Sequence, residues 1–186
     1  MKIKKQIKLN FKNSAEITEL YRSLKIDYPK FFKMDGLSKL GLLASELIFQ
    51  NEKNRFIPNE NTAVICFNRS SSLDIDTQYQ DTICNNENYY PSPSLFVYTL
   101  PSIVAGEIAI RNKFFGETFF YICKNFDAKQ MVRTIKNTFH DVNTNTVLAA
   151  WIEYFEEKKE VLMMWVENEE GDRECMEEQL IQWYNN

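Results

Sequence analysis

The chain has 186 residues, 44% of them apolar, and its formal net charge is −4. This length and apolar content predict a single domain over residues 1–186, and the acidic balance argues against a nucleic-acid partner. No apolar run is long enough to cross a bilayer, and none follows the N-terminal lysines as in a signal peptide, so the sequence predicts a cytoplasmic protein without membrane attachment.

The N-terminal part predicts a strand followed by two helices. Residues 3–11 alternate apolar side chains with lysines, the pattern of an edge strand whose lysine face is solvated. Asn13 and Glu16 form a capping box that begins a helix ending near Leu24. Asp35 caps a second helix, whose apolar residues recur at helical spacing on one face.

The middle of the chain predicts a buried strand and two further helices. Residues 63–67 are uniformly apolar, and residues 73–83 suit a short helix. Pro101 lies at the first turn expected for the next helix. Within that helix, Glu107 and Arg111 can pair at i, i+4 spacing. The small residues expected to allow close backbone approach there are Ala105, Gly106 and Ala109.

The last third predicts a strand, a helix, two further strands and a final helix. Residues 119–123 are uncharged and rich in aromatic residues, which favours a buried strand. Asp127 caps a helix, two strands follow at 146–154 and 160–167, and residues 171–186 suit an amphipathic helix. The inward-facing residues expected on these two helices are Met131, Ile135 and Phe139, then Met176, Leu180 and Trp183. The alternation of helices and strands indicates an α/β fold.

Few residues in this sequence are candidates for catalysis or metal binding. The cysteines at positions 66, 84, 123 and 175 lack metal-ligand spacing, and we predict neither a metal nor a cofactor. The single histidine, His140, lies in a polar stretch typical of a surface loop. Residues 70–72 are serines that precede Asp74, but without a nearby base they favour a turn and helix cap. Asp74 and Asp76 suit a solvated helix start better than a cation site.

Aromatic residues concentrate between positions 89 and 121. We expect most of them to lie in the core and the remainder to form an interface. The group comprises Tyr89, Tyr90, Phe96, Tyr98, Phe114, Phe115, Phe119, Phe120 and Tyr121.

The segment PSIVAGEIAIRNKFFGETFFYICKNFDA, residues 101–128, resembles the nucleophile-bearing segment of β-ketoacyl synthases. In that family a helix with the motif N-x-V-A-G-x-x-A-I leads through a glycine turn into a strand ending in A-C-A-S-G, whose cysteine takes the acyl chain. Aligned on the V-A-G and A-I residues and on Gly116, the place of that cysteine falls on Asn125. Cys123 lies two residues earlier, which is roughly 6 to 7 Å along a strand.

Four other segments resemble the same family in the same order. They are the KMDGLS motif at 33–38 with the apolar helix after it, the strand and serine-rich turn at 63–74, YPSPSLF at 90–96 and TVLAAWIE at 146–153. The resemblance covers roughly residues 33–153. It implies half of a thiolase-like α/β fold, with a mixed sheet of about five strands and helices packed on it.

The resemblance also implies that this chain lacks a condensing site. The family uses two histidines, or a histidine and an asparagine, from its C-terminal half, and the only histidine here is His140. We therefore predict a catalytically inactive protein similar to a chain length factor, in fatty acid, polyketide or aryl polyene biosynthesis. The alternative is an enzyme, either a fragment of a condensing enzyme acting with a partner or an acyltransferase that uses Cys123.

The predicted partner is a second copy of the chain or a full-length ketosynthase. By resemblance, the strand at 116–122 pairs across a two-fold axis, and the loop at 92–101 reaches the acyl tunnel of the partner. The interface and acyl-tunnel candidates are Phe96, Tyr98, Pro101, Phe119 and Tyr121. A further hypothesis is a domain that binds an acyl carrier protein. The basic residues that would meet such an acidic carrier are Lys33, Lys39, Arg69, Arg111, Lys113 and Lys124.

Overall fold

The computed structural model describes residues 1–169 and 173–185, in which seven helices pack on a five-stranded sheet. The strands are β1 (Lys2–Asn10), β2 (Thr62–Asn68), β3 (Thr118–Ile122), β4 (Thr146–Phe155) and β5 (Lys158–Glu167). The helices are α1 (Ser14–Ser23), α2 (Gly36–Phe49), α3 (Leu73–Asp81), α4 (Pro93–Tyr98), α5 (Ile103–Asn112), α6 (Ala128–Thr138) and α7 (Arg173–Asn185). Short 3-10 turns occupy Pro29–Lys33 and Asn86–Asn88.

The sheet is mixed, as the family resemblance implies, with the strand order β1-β5-β4-β2-β3. Strand β2 pairs in parallel with both β3 and β4, whereas β5 is antiparallel to β4 and to β1. All residues of β2 are buried, which explains its continuous apolar sequence. Strands β1 and β3 form the two outer edges of the sheet.

Helices cover both faces of the sheet. On one face, α2 and α5 pack over Val64, Leu148 and Met163. On the other face, α6 and α7 pack over Ile65 and Ala149. Among the described residues, no helix is long and apolar enough to span a bilayer.

Helix α2 is buried on nearly all sides by residues of its own chain. Its Leu40, Leu42 and Leu43 are fully buried, although they point in different directions around the helix. Helix α1 and the 3-10 turn at Pro29–Lys33 contribute to the same core, where the rings of Tyr21 and Phe31 stack with centroids 3.9 Å apart.

Local capping chemistry predicted the helix starts well. The side chain of Asn13 accepts hydrogen bonds from the backbone of Ala15 and Glu16, and Asp35 accepts them from Leu37 and Ser38. Asp127 caps α6 in the same way. The expected inward residues of α6 and α7 are confirmed, with Met131, Ile135, Phe139, Met176 and Leu180 buried and Trp183 packed against the same core. Positions 171, 172 and 186 of the predicted last helix lie outside the described residues.

Two predictions about α5 are wrong. The helix begins at Ile103 instead of Pro101. Glu107 and Arg111 do not pair with each other, because each finds a partner on another element: Glu107 binds Lys30 at 2.7 Å, and the Arg111 Nε atom lies 2.7 Å from the Glu46 Oε1 atom. These buried carboxylates need partners inside the fold, which local i, i+4 spacing does not reveal.

The close approach expected at Gly106 is also wrong, because a Cβ atom at Gly106 would meet open space. The small residue that permits close packing of α2 and α5 is Gly41, where a Cβ atom would overlap the side chain of Val104. Ala105 and Ala109 are buried as expected.

Candidate interface and nucleophile segment

Strand β3 lies at an edge of the sheet with one paired side and one unpaired side. It pairs in parallel with β2, from Val64 opposite Thr118 to Asn68 opposite Ile122. Its other side pairs with no strand in the described part of the chain. Gly116, just before β3, passes so close to the β2 backbone that a Cβ atom would overlap the carbonyl oxygen of Thr62.

The prediction that this strand is buried is wrong. Phe119 is 41% exposed and Ile122 is 60% exposed, on opposite faces of β3. Tyr121 is half-buried and stacks on Phe67, with ring centroids 5.2 Å apart. An uncharged apolar run predicts a covered strand, but the described residues leave the second side of β3 uncovered.

The segment around α4 adds further exposed apolar side chains. Phe96 is exposed and its ring lies 5.5 Å from that of Tyr79. Pro101 is half-buried in the turn between α4 and α5. Tyr98 lies in the core, where its hydroxyl donates to Glu107 at 3.4 Å. Burial and the Glu107 carboxylate raise the pKa of Tyr98 to about 12. Among the five interface candidates, Tyr98 is therefore the one buried in the free chain.

The expectation that most of the aromatic group lies in the core is wrong. Its exposed members are Tyr89, Tyr90, Phe96, Phe115 and Phe119. Sequence reasoning also missed Ile110 on α5, which is exposed while Ile108 is fully buried. Helix α5 packs against β3. The helical period could have identified Ile110, because a residue two positions along a helix from a buried residue points to a different side of the helix.

Asn125 lies in the bend between β3 and α6 and is exposed. The N-terminus of α6, which favours negative charge, already has a carboxylate: Asp127 accepts a hydrogen bond from the backbone of Gln130 at 2.9 Å. An amide side chain is not nucleophilic, and a thiolate introduced here would meet the charge of Asp127. The position aligned with the family's nucleophile therefore holds an amide, beside a helix N-terminus where Asp127 already accepts from the Gln130 N–H.

Cys123 is held against the sheet instead of being presented at the helix. Its backbone N–H donates to the carbonyl of Asn68 at 2.7 Å, and its half-buried side chain packs against the core under α6. Burial, and secondly the charge of Asp127, raise the pKa of the Cys123 thiol. A raised pKa lowers the thiolate fraction at neutral pH, so this environment is the opposite of that of an activated cysteine.

A cleft of about 660 Å³ lies where the carboxyl ends of β2, β3 and β4 meet, with Asn125 in its wall. This end of a parallel sheet is where α/β proteins bind ligands. Here the buried carboxylate of Glu153 accepts hydrogen bonds from the backbone N–H groups of Arg69 and Ser70, at 2.9 and 3.2 Å. Those two donors are therefore engaged within the protein. Tyr184 and Phe126 also line the cleft, and their rings stack with centroids 3.9 Å apart.

The remaining candidate groups do not assemble into a catalytic constellation. His140 is exposed beyond the far end of α6, about 20 Å along the helix axis from Asn125. The Ser72 hydroxyl, with a single hydrogen to donate, lies 2.8 Å from the Thr99 carbonyl and 3.1 Å from the Asp76 carboxylate, beside the start of α3. Asp74 accepts from Gln78. The described residues contain no cluster of histidine, cysteine and acidic side chains suited to a metal.

No family model matches this chain, and no curated protein sequence matches it. Solved structures do. The ishigamide ketosynthase/chain length factor aligns with a TM-score of 0.67 at 15% identity, over 88% of this chain and 55% of that one. A ketosynthase in complex with its chain length factor from Xenorhabdus doucetiae aligns with a TM-score of 0.64 at 12% identity, over 91% of this chain and 79% of that one.

A third structure, a β-ketoacyl synthase from Burkholderia phymatum STM815, aligns with a TM-score of 0.52 at 10% identity, over 76% of this chain and 45% of that one. The chain spans about half the length of the ishigamide protein chain it matches. The protein therefore has the thiolase-like fold of ketosynthases and chain length factors, as its sequence motifs predict.

Proposed function

We propose that this protein is a ketosynthase-like subunit without condensing activity of its own, which acts by pairing with a second subunit as a chain length factor does. Two solved structures of the same fold are described as ketosynthase and chain length factor assemblies. The acyl chain would be that of a fatty acid, a polyketide or an aryl polyene. An acyl carrier protein would deliver that chain to the assembly.

The observation that carries this proposal is the unpaired apolar edge of β3. An exposed edge strand without a charge or a proline is a template for another strand, and proteins normally cover or disrupt it. Antiparallel pairing across a two-fold axis would cover Phe119 and Ile122 and join the two sheets. An unpaired strand edge is open to a second copy of this chain as well as to a ketosynthase partner.

The inactivity rests on the nucleophile segment. Asn125 replaces a thiol, Asp127 occupies the helix end, and Glu153 engages the backbone donors at the end of β2. The acyltransferase alternative requires a reactive Cys123, and the raised pKa of that thiol argues against it.

Light scattering and affinity capture test the association. At micromolar concentration we expect a particle of twice the 22.0 kDa chain mass, or a stable complex with a co-expressed ketosynthase. A monomer that also fails to retain any ketosynthase would contradict the proposal.

Intact-protein mass after incubation with an acyl thioester tests the chemistry. We expect no acyl adduct on the wild-type chain, and the Cys123→Ala variant serves as the matched control. A covalent adduct on the wild type that disappears in Cys123→Ala would instead support the acyltransferase alternative. Condensation by the wild-type chain alone would contradict the proposed function directly.

A further inference from the structure

The outer face of α6 is a basic surface on an acidic protein. The chain has 26 acidic and 22 basic residues, yet α6, with the sequence AKQMVRTIKNT, contains three cations and no carboxylate. Lys129, Arg133 and Lys136 follow i, i+4, i+7 spacing, so they lie on one stripe of the helix, and all three are exposed. The opposite side of α6 is buried through Met131 and Ile135.

The described residues provide no ion-pair partner for these cations. Lys124, in the bend just before α6, is also exposed and extends the stripe toward the helix N-terminus. Isolated surface cations are ordinary, but three cations on one face of a helix that contains no carboxylate create a local positive potential that attracts an acidic partner.

The stripe runs beside a groove with an apolar side. A groove of about 570 Å³ lies between the start of α6 and α7, and it is lined by Lys124 and Lys129 on one side and by Ile181 and Tyr184 on the other. Ile181 is 50% exposed. Asp127 and Glu177 also line the groove, so the positive charge is concentrated on the outer face of α6. An amphipathic helix with carboxylates beside an apolar stripe would match both features.

We propose that the outer face of α6, with Ile181, docks an acidic amphipathic helix of a partner protein. This surface lies on a helical face of the sheet and not on the β3 edge, so the proposal goes beyond the proposed function and does not rest on it. It shares only Lys124 with the basic residues singled out from the sequence. Arg111 in that set is paired with Glu46, and the half-buried Lys39 lies over the ring of Phe31.

The test measures binding of a fluorescent synthetic helical peptide that carries glutamates at i, i+4, i+7 positions and leucines beside them. The control peptide has glutamine in place of each glutamate. We expect the acidic peptide to bind the full chain, to weaken as salt rises, and to bind at least about tenfold tighter than the control peptide. No binding at low salt, or equal binding of the two peptides, would overturn the proposal.

Charge reversal then locates the surface. The variant Lys129→Glu, Arg133→Glu, Lys136→Glu should lose at least about tenfold in affinity, because like charges would face the peptide. A matched variant, Lys12→Glu, Lys33→Glu, Lys53→Glu, changes the net charge equally at exposed sites elsewhere and should bind within about twofold of wild type. Ile181→Ser should weaken binding without changing its salt dependence. Equal losses in the two charge variants would show attraction to net charge alone and overturn the proposal.

All of these substitutions are at exposed positions, so folding is expected to persist, and thermal unfolding by circular dichroism checks it. Light scattering on the same samples separates the two proposals. An α6 variant that keeps the wild-type oligomeric state but no longer binds the peptide supports the proposed docking surface independently of the proposed function. A wild-type chain that assembles but never binds the peptide overturns this surface and leaves the proposed function standing.

Discussion

The two edges of the sheet are built in opposite ways. Strand β1 carries lysines along its length and has a bulge between Ile3 and Lys5, which turns Ile3 toward one core while Ile7 faces the other. Lys4 pairs with Glu167 at 2.9 Å. Strand β3 contains no charge, proline or bulge, and it exposes Phe119 and Ile122.

The difference between the edges shows which one is suited to a partner. Charges and bulges are the devices by which proteins prevent edge strands from pairing with other chains. Both devices are present on β1 and both are missing from β3. Since the same chain protects one edge and leaves the other apolar, the open edge is better explained by a partner than by chance.

The largest effect is expected from placing a charge on the open edge. In Ile122→Lys the new ammonium is exposed in the free chain but would be buried in a two-fold pair, so we expect association to weaken at least about 100-fold. Gln6→Lys places the same charge on the exposed side of β1 and should leave association unchanged. Analytical ultracentrifugation over a concentration series measures both. Equal association constants for the two variants would refute the contrast between the edges.

The close contact between the segment before β3 and the backbone of β2 is the next feature to test. Because a Cβ atom at Gly116 would overlap the Thr62 carbonyl oxygen, Gly116→Ala should lower the free energy of unfolding by roughly 1–3 kcal/mol. Gly106→Ala is the matched control, since it meets open space within α5 and should raise that free energy by up to about 1 kcal/mol. Urea unfolding midpoints compare the two. If the two variants shift the urea midpoint equally and in the same direction, the contact between Gly116 and Thr62 does not hold β3 in place.

The thiol chemistry beyond β3 gives a smaller effect. Iodoacetamide should alkylate Cys123 slowly at neutral pH and faster as pH rises, because the raised pKa keeps the thiol protonated. The exposed thiol introduced by Asn125→Cys should react about tenfold faster than Cys123. Adding Asp127→Asn to the Asn125→Cys variant should increase the alkylation rate of the new thiol further, because it removes a nearby negative charge. Peptide mapping by mass spectrometry separates these sites from the exposed Cys84. A Cys123 that reacts as fast as Cys84 would contradict the structure of this segment.

Local chemistry explains what the sequence could predict. Side-chain caps at Asn13, Asp35 and Asp127 act within three residues, so the starts of α1, α2 and α6 were readable. The uniform apolar sequence of β2 predicted its burial correctly, because β2 has a strand on each side.

Sheet order explains what the sequence could not predict. The run Phe119–Phe120–Tyr121 looks as apolar as β2, but its burial depends on a neighbouring strand that the described part of the chain does not supply. Arg111 was assigned to Glu107 by spacing, whereas the fold brings Glu46 to it from α2. At the candidate site, the motif alignment located Asn125. The engagement of the Arg69 and Ser70 N–H groups by Glu153 required the tertiary structure.

The smallest effect is expected at the protected edge, where substitution should alter stability but not association. The prediction that all lysines of β1 face solvent is wrong for Lys5, which donates to the Ile48 carbonyl near the end of α2 at 3.1 Å and also pairs with Glu52. Lys5→Met keeps the apolar stem and removes the charge, so we expect a loss of about 0.5–1 kcal/mol in the free energy of unfolding. Lys12→Met removes an exposed lysine outside β1 and should change that free energy by less. Urea unfolding and ultracentrifugation on the same samples should show a lowered midpoint and an unchanged association constant. If Lys5→Met instead creates new association, then the charge on β1, and not its bulge, prevents that edge from pairing with another chain.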